Sequence, residues 1–490
     1  MAVGLPGSTH MEYPNIIPHW IQNKRYPGKE VAGISKYNPA NGEIIGTVSK
    51  GTKEFVQEVV GQAQQAYVLW KETSVMERAV ILQKAVQIME ERKEEIAAVL
   101  ALETGRSETI AINEVREAIQ HGFLWASEAM RFFGFTAESA RANRTVKVVR
   151  VPLGVCVLIF PFNGPFGGVV KKLFPALLCG NTAIAKSHEL TPLTSVILGE
   201  IMRDAGLPSG VFSVLQGDTE TGSALVGDIR VSLISFTGSA KIAIQISKVA
   251  ADRLAKVSIE TGGKNPLVVC DDADLEAAAE AVVSSAFVLS GQVCAAASRV
   301  IVFDSVYDSF RETVVKRTKA LTDMPPLMSE EKVTTLVRRV QKELSNSKAR
   351  LLTGGNRLED GIHKRGYFME PTIVENVSPD ADISREELFG PVLCMYRVKD
   401  FGEALALANN SRFGLTAAIY TQNMNRAEVF ARYCEAGVVR VNGPTFGSEP
   451  HQLFGGVKLS GNGWREPGPK TLDVYSEWKV ITNDFDPKKV

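Results

Sequence analysis

The sequence predicts an α/β protein that divides into two or three domains. With 490 residues, 45% of them hydrophobic, the chain can bury more than one core. From Lys53 to about Phe133, apolar residues recur at three- and four-residue spacing with few helix breakers, which predicts helices. From Gly154 onward, short apolar runs alternate with helical segments, and this alternation favours parallel sheets with crossover helices.

Between these two regions lies a segment with the pattern of a strand. Residues 145–151 alternate polar and apolar side chains after a polar stretch that begins at Ala137. A segment near the C-terminus, residues 472–480, is also strand-like. Since these two segments could pair across subunits by edge addition, a homodimer or a homotetramer (a dimer of dimers) is expected.

Two series of strands and helices follow. The first runs from Gly154 to Gly263 and the second from Asn265 to about Gly461. In the first series we predict strands at 155–159, 182–185 and 233–236 and a helix at 193–205. In the second we predict strands at 265–270 and 300–303.

Composition excludes several classes of partner. Lys plus Arg and Asp plus Glu both number 55, so no net charge attracts nucleic acid or an anionic membrane. No run is long enough to span a bilayer, and the first ten residues lack the features of a signal peptide; Met11 is a candidate natural start. Six widely spaced cysteines without a Cys-x-x-Cys pair predict reduced thiols, a cytoplasmic location and no metal site.

Three segments carry candidate catalytic chemistry. Cys294 lies in the run GQVCAAASR, and Glu260, thirty-four residues upstream, begins the run ETGGK. Asn163 stands in PFNGP, where two prolines stiffen the backbone as a fixed oxyanion donor would require. Alone, such a cysteine is more often a small buried residue, and such a glutamate a loop carboxylate. Together, a thiol nucleophile, a carboxylate base and an amide donor indicate covalent chemistry on a carbonyl.

The order of these segments resembles the aldehyde dehydrogenase superfamily, whose signatures run Pro-x-Asn-x-Pro, Glu-x-Gly-Gly-Lys and Gly-Gln-x-Cys. The resemblance continues through FTGS (236–239), EELFGP (386–391) and FGGVKLSG (454–461), so it covers nearly the whole chain. It implies a Rossmann-like cofactor-binding domain, an α/β catalytic domain and a small β oligomerisation element. The implied boundaries are 11–129 with 152–262, then 263–462, and 130–151 with 463–490.

The resemblance implies NAD(P)-dependent oxidation of a small aldehyde to its carboxylic acid. Cys294 would attack the aldehyde, Asn163 and the Cys294 N–H would stabilise the oxyanion, and Glu260 would activate the water that hydrolyses the thioester. To act as a thiolate, Cys294 is expected to need an electropositive or dipolar setting. Two alternatives remain open: a CoA-acylating enzyme, and a non-catalytic protein on the same fold.

The cofactor contacts follow from glycine clusters and from the resemblance. Clusters that begin at Gly217 and Gly238 each follow a strand-like run and could open a helix toward a pyrophosphate. Neither spells Gly-x-Gly-x-x-Gly, so each alone is an ordinary turn. Ser239 matches the family's pyrophosphate-contacting serine, whereas Gly217 is assigned to the cofactor on its position. Phe162, Glu387 and Phe389 are assigned to the cofactor as well, the last two to the nicotinamide ribose and ring.

Coenzyme choice rests on the residues that follow the strand 183–185, where sheet topology places a ribose-binding loop. A charged pair there is ordinarily a solvated loop, but Lys186 and Glu189 match the family's Lys-x-x-Glu, which binds the adenosine ribose. The Glu189 carboxylate would repel a 2′-phosphate. NAD is therefore favoured, with NADP as the alternative.

The substrate side is assigned to four residues: Gly164, Val293, Ala295 and Phe446. Gly164 stands where the family often has a bulky aromatic, so it should widen the funnel beside the thiol. The loop 442–453 resembles the substrate-side loop of bacterial relatives that oxidise semialdehydes, including 2-oxoglutarate semialdehyde. Lys171, eight residues after Asn163, is assigned no single role, because it could support the asparagine or lie on a solvated helix face.

Overall fold

Helices begin at Lys53 and Leu193, as the apolar spacing predicts, and several helices have polar caps at their first turns. Ser74 forms a capping box with Glu77, and Asp274, Ser329 and Asp400 each accept a hydrogen bond from an amide of the helix that follows. The computed structural model describes residues 3–4, 12–28 and 33–489, so the candidate start at Met11 lies outside the described residues.

The bounds of the helices are, in chain order, α1 (Lys53–Trp70), α2 (Val75–Glu91), α3 (Lys93–Thr104), α4 (Glu108–Glu128), α5 (Pro165–Leu178), α6 (Leu193–Asp204), α7 (Thr219–Gly227), α8 (Ala240–Ala251), α9 (Leu275–Phe287), α10 (Asp304–Lys319), α11 (Glu330–Asn346), α12 (Asp382–Arg385), α13 (Phe401–Asn409), α14 (Met424–Tyr433) and α15 (Thr471–Tyr475). Short 3-10 helices lie at Ala129–Arg131, Val288–Gly291, Gly361–Arg365 and Pro487–Lys489.

The bounds of the strands are β1 (Val3–Gly4), β2 (Glu12–Tyr13), β3 (Ile16–Ile17), β4 (His19–Ile21), β5 (Lys24–Tyr26), β6 (Ile34–Tyr37), β7 (Ile44–Val48), β8 (Phe135–Ala137), β9 (Arg144–Pro152), β10 (Val155–Ile159), β11 (Thr182–Lys186), β12 (Phe212–Leu215), β13 (Val231–Gly238), β14 (Lys256–Thr261), β15 (Asn265–Val269), β16 (Ala297–Phe303), β17 (Arg350–Thr353), β18 (Thr372–Glu375), β19 (Val392–Val398), β20 (Phe413–Gly414), β21 (Thr416–Tyr420), β22 (Val438–Val441), β23 (Val457–Lys458) and β24 (Ser476–Asp484).

Two mostly parallel sheets form the framework, as the alternation of strands and helices predicts. The first sheet has the order β14-β13-β10-β11-β12-β4-β5, and the second β17-β18-β19-β16-β15-β21-β22. In the first, the pairs from β14 to β12 are parallel and β4 joins antiparallel; in the second, only β17 pairs antiparallel. The predicted α/β fold class is therefore confirmed.

Each sheet is covered with apolar side chains on both faces. On β10, Cys156 and Leu158 pack into one cluster while Val155 and Val157 pack into the cluster on the opposite face. The second sheet repeats this arrangement with two further clusters. Strands buried on both faces read as continuous apolar runs, which is why the sequence located them correctly.

A third sheet has the order β24-β9-β8 and corrects one prediction. The segments 145–151 and 472–480 pair with each other within one chain, from Ser476 opposite Pro152 to Asp484 opposite Arg144. The first residues of the second segment are not strand but belong to α15, which is buried. Pairing across subunits is thus not what joins these two segments, although the outer edges of β24 and β8 have no partner strand within the described residues. No helix of the described residues is long and apolar enough to cross a membrane.

Candidate active site

A sharp turn presents Cys294 between the two large sheets. Leu289, Ser290 and Gly291 all have left-handed backbone angles, with φ of 47°, 56° and 69°. A Cβ on Gly291 would lie 2.3 Å from the carbonyl oxygen of Gly390, so only glycine fits there. The glycine of the Gly-Gln-x-Cys motif therefore has a structural reason.

The residues on both sides of Cys294 are held by buried side-chain amides. Gln292 Nε2 donates to the carbonyls of Leu289 (3.1 Å) and Pro326 (3.0 Å). Asn265 Nδ2 donates to the carbonyls of Cys294 and Ala296, both at 2.8 Å. Cys294 is half-buried, whereas the other five cysteines are buried and free. Only this thiol is thus placed to meet a substrate.

Glu260 meets Cys294 at the junction of the two sheets. It lies near the end of β14, and its Oε1 is 3.7 Å from Cys294 Sγ. Ser460, which follows β23, holds the chain that leaves β14: Thr261 N donates to the Ser460 carbonyl at 3.1 Å, and Ser460 Oγ donates to the Gly262 carbonyl at 2.7 Å. The predicted pair of thiol and carboxylate is therefore within contact distance.

The surroundings of the thiol differ from the electropositive setting that the sequence suggested. Burial raises the pKa of Cys294 well above its ordinary value, the charges of Glu260 and Glu387 raise it further, and only Lys171 opposes them. The net effect of burial and of these neighbouring charges favours the neutral thiol over the thiolate. Cys294 accordingly donates its S–H toward Glu260, which makes the carboxylate the acceptor for the thiol proton.

Burial also raises the pKa of Glu260, although the charges of Lys172 and Lys171 lower it. The sequence pointed to Lys171, but the neighbouring Lys172 left the register between the two open. Lys172 is buried, with Nζ 2.7 Å from Ser235 Oγ and 3.5 Å from Glu466 Oε2. Lys171 is partly exposed and lies 3.6 Å from Glu117. Neighbouring helical residues point about 100° apart, so the doubled lysine alone did not reveal which one faces inward.

Asn163 lies in the turn between β10 and α5. Its backbone carbonyl accepts a hydrogen bond from Arg106 Nη2 at 2.7 Å. In the described part of the chain its side-chain amide forms no hydrogen bond with another side chain or backbone group, and neither does the backbone N–H of Cys294. Both donors thus remain available, as the predicted oxyanion site requires. A Cβ added to Gly164 would meet no atom within 4 Å, so the glycine leaves open space beside this turn.

Of the two glycine clusters, the one before α8 fits a pyrophosphate better. Exposed Ser239 caps α8, whose first turn contains no acidic residue. Gly217, with φ of +140°, precedes α7, but the cap there is Asp218, which pairs with Lys50 at 3.0 Å. A carboxylate already occupies the positive end of α7, whereas the start of α8 is open to an anion.

The other predicted cofactor residues lie along the carboxyl edge of the first sheet and on the facing loop. Lys186 ends β11 and its Nζ lies 3.1 Å from Glu189 Oε2. The Phe162 ring packs edge-on against two rings, Phe389 at 5.7 Å and His188 at 5.3 Å between centroids. His188 stands inside the recognised Lys-x-x-Glu segment, but its contact with Phe162 could not be read from the sequence.

Glu387 lies close to the backbone that carries Glu260. A Cβ on Gly262 would be 1.8 Å from Glu387 Oε1, so the paired glycines allow the carboxylate to approach. Burial raises the pKa of Glu387 to about 7, against the lowering effects of Lys332 and Lys264. Strand ends, helix start and loop thus bring together an exposed helix terminus, a carboxylate beside a lysine, and two aromatic rings.

The loop 442–453 reaches the nucleophile segment on the substrate side. Thr445 Oγ1 donates to the Ala295 carbonyl at 2.6 Å, and Thr445 N donates to Ser285 Oγ at 3.2 Å. Val293 and Phe446 are half-buried and can line a funnel. Ala295 is buried at 4% exposure, so it can contribute little surface to such a funnel.

The raised pKa of Glu260 predicts the shape of the pH profile. Because a base must be ionised to act, the steady-state rate should fall as the pH drops through this pKa, above the usual carboxyl value near ~4.3. We expect the acid limb of kcat, measured from the rate of turnover at saturating substrate, to lie above the pH range of an ordinary carboxyl group. An acid limb at or below that ordinary range would contradict a buried carboxylate base.

Comparison with known proteins agrees with this geometry. Residues 26–481 match the sequence model of the Aldehyde dehydrogenase family. The chain is 37% identical to an alpha-ketoglutaric semialdehyde dehydrogenase of Bacillus subtilis over 91% of this chain and 93% of that protein. It is 35% identical to a 2,5-dioxopentanoate dehydrogenase of Saccharolobus solfataricus over 96% and 98%.

A solved structure is similar over nearly the whole chain. It is a betaine aldehyde dehydrogenase point mutant from Staphylococcus aureus, in complex with NAD+ and with a BME-modified cysteine. The TM-score is 0.93 at 29% identity, and the alignment covers 96% of this chain and 97% of that one.

Proposed function

The chain belongs to the aldehyde dehydrogenase family, and we propose that Cys294, Glu260 and Asn163 form its catalytic site. The enzyme oxidises an aldehyde to the carboxylic acid with NAD(P), through a cysteine thiohemiacetal and a thioester that water hydrolyses. The observation that carries the assignment of residues is the 3.7 Å contact between Cys294 Sγ and Glu260 Oε1.

In the first step, Glu260 accepts the proton of the Cys294 thiol while the sulfur forms a bond to the aldehyde carbon. The carbonyl oxygen becomes an oxyanion, which the Asn163 amide and the Cys294 N–H stabilise; loss of one such donor typically costs roughly 100- to 1000-fold in rate. When bound, NAD(P) supplies the acceptor for the two electrons that leave the substrate. The acyl group then remains on Cys294 as a thioester.

Glu260 then releases the thiol proton to solvent. In the second step the Glu260 carboxylate takes a proton from water, and the resulting hydroxide oxygen attacks the thioester carbon. The bond to sulfur breaks, Glu260 returns that proton to the leaving sulfur, and the acid leaves with the thiol restored. A carboxylate base in contact with the nucleophile favours water as the acyl acceptor, which argues against the CoA-acylating alternative.

For the cofactor we propose NAD in preference to NADP, held by the set assigned from the sequence: Phe162, Lys186, Glu189, Gly217, Ser239, Glu387 and Phe389. Burial opposes ionisation of Glu189, but the charges of His188 and Lys186 outweigh it and lower the pKa of this carboxyl. An ionised Glu189 binds ribose hydroxyls and repels a 2′-phosphate.

For the substrate we propose an aldehyde that carries a carboxylate at its other end. Two relatives are named for such semialdehydes. Lys171 is the candidate anchor, since it is partly exposed and its charge lowers the pKa of both Cys294 and Glu260. Its only ionic partner in the described residues is Glu117, at 3.6 Å. Gly164, Val293, Ala295 and Phe446 form the rest of the funnel in this proposal.

The proposed domains are a cofactor-binding domain (11–129 and 152–262), a catalytic domain (263–462) and an oligomerisation element (130–151 and 463–490).

A homodimer or homotetramer is supported by exposed apolar side chains on the third sheet, such as Val480 at 62% and Phe135 at 56% exposure. The free cysteines support a cytoplasmic location.

Two substitutions test the catalytic pair. Cys294→Ala should abolish aldehyde oxidation and leave NAD binding unchanged, because the thiol forms the covalent bond and does not hold the dinucleotide. Glu260→Gln should slow acylation, because the thiol loses its proton acceptor, and should slow thioester hydrolysis more. A slowed burst of about one NADH per active site should therefore precede a steady state reduced by roughly 100-fold or more. Stopped-flow absorbance measures both phases. Turnover by the alanine variant, or a glutamine variant without a burst at any pH, would overturn these roles.

Glu189→Gln tests coenzyme choice. Wild type should show a higher kcat/KM with NAD than with NADP. Removal of the negative charge should raise kcat/KM for NADP and so reduce the ratio between the two coenzymes. Initial rates with both coenzymes at saturating aldehyde measure the ratio. If wild type prefers NADP strongly and the variant leaves that preference unchanged, Glu189 does not discriminate.

Lys171→Met tests the substrate anchor. The value of kcat/KM for an ω-carboxylated aldehyde should fall about 10- to 100-fold, as expected for loss of a charged hydrogen bond. An uncharged aldehyde of equal length should be little affected. Glu117→Gln should improve the carboxylated substrate because it frees the ammonium, and Lys84→Met, on the exposed face of α2, serves as the matched control. Equal losses for both aldehydes would exclude a carboxylate anchor.

A further inference from the structure

We propose that Arg106 and Glu114 form a clamp that fixes Asn163 for oxyanion stabilisation, which makes both of them positioning residues. This inference rests on the proposed role of Asn163. Arg106 Nη1 lies 2.7 Å from Glu114 Oε2, and Arg106 Nη2 donates to the Asn163 carbonyl at 2.7 Å. Neither residue belongs to the motifs that identify the family.

The start of α5 lacks a cap of its own. Gly164 stands at the N-cap position without a side chain, and Pro165 follows without an N–H. The next amides, those of Phe166 and Gly167, both point at Glu114 Oε1, at 3.2 and 3.5 Å. The cap of α5 therefore comes from α4, fifty-two residues earlier in the chain.

Arg106 completes the clamp from the segment between α3 and α4. Gly105, with φ of +67°, ends α3 in a left-handed turn, and the Arg106 side chain that follows is 4% exposed. One guanidinium thus holds the backbone before Gly164 through the Asn163 carbonyl. The Glu114 carboxylate, which pairs with Arg106, holds the backbone after Gly164 through the amides of Phe166 and Gly167.

The open space beside Gly164 explains why this turn depends on a clamp. No atom lies within 4 Å of where a Gly164 Cβ would be, so no side chain at that position packs the turn in place. The polar contacts from Arg106 and Glu114 supply the constraint instead. An oxyanion donor must be held in its productive position before the reaction, and a misplacement of about 1 Å can cost roughly 100-fold in rate.

Charge balance within the clamp guides the choice of variants. Burial lowers the pKa of Arg106 and raises that of Glu114, and each charge opposes the effect on the other. Removal of one partner would leave an unpaired buried charge and destabilise the protein. Arg106→Lys keeps the charge but cannot reach both partners with a planar fork, and Glu114→Gln keeps an acceptor for the helix amides.

A double-mutant cycle tests the clamp. The rate of the NADH burst is measured for wild type, Arg106→Lys, Asn163→Ala and the double variant, with Arg116→Lys on the exposed face of α4 as the matched control. We expect Arg106→Lys to slow the burst about 10-fold in the presence of Asn163 and less than 2-fold in its absence. The melting temperature and the Kd for NAD, from fluorescence quenching, should stay near wild type. Glu114→Gln leaves the Arg106 charge unpaired, so its melting temperature should fall. Its burst rate should still show the same dependence on Asn163, and it carries the test if Arg106→Lys does not fold.

The outcomes separate the clamp from the proposed function. Equal losses in both backgrounds, or no loss in the wild-type background, would overturn the clamp and leave the role of Asn163 intact. If Asn163→Ala itself retains the wild-type burst rate, the oxyanion assignment falls and the clamp falls with it.

Discussion

The junction of the two parallel sheets is the constraint on which the active site depends. Glu260 lies near the end of the edge strand of the first sheet, and Cys294 precedes a central strand of the second. Neither sheet alone contains both candidate reacting groups. The Ser460 carbonyl accepts from Thr261 N, the Ser460 hydroxyl donates to the Gly262 carbonyl, and glycines at the crossing allow an approach that a Cβ would block. The 3.7 Å contact is thus a consequence of how the sheets meet.

Burial at that junction sets the electrostatics. Burial disfavours the charged forms of Cys294 and Glu260 and raises the pKa of both, and the thiol donates toward Glu260 Oε1. Lys172 and Lys171, both from α5, partly offset this effect on Glu260. The same low polarity that suppresses a free thiolate strengthens the hydrogen bonds available to an oxyanion once attack has occurred.

Helix α5 connects these functions. Its start presents Asn163, its inner face buries Lys172 against Glu466, and its outer face leaves Lys171 accessible beside Glu117. One helix therefore connects the candidate oxyanion donor, an internal charge and a candidate substrate anchor. The proposed clamp, from α4 and the segment before it, contacts the start of this helix.

The sequence by itself determined the α/β class, the positions of the strands and helices, and the candidates Cys294, Glu260 and Asn163. Apolar periodicity and motif order can be read directly from the chain, and strands buried on both faces can be recognised as apolar runs. Only the tertiary structure decided which of the two lysines is buried, that Glu466 is its partner, and that β9 pairs with β24 in the same chain. It also decided that the thiol lies buried beside two carboxylates, which raises its pKa. Those facts depend on contacts between residues far apart in sequence and on burial, which no local pattern encodes.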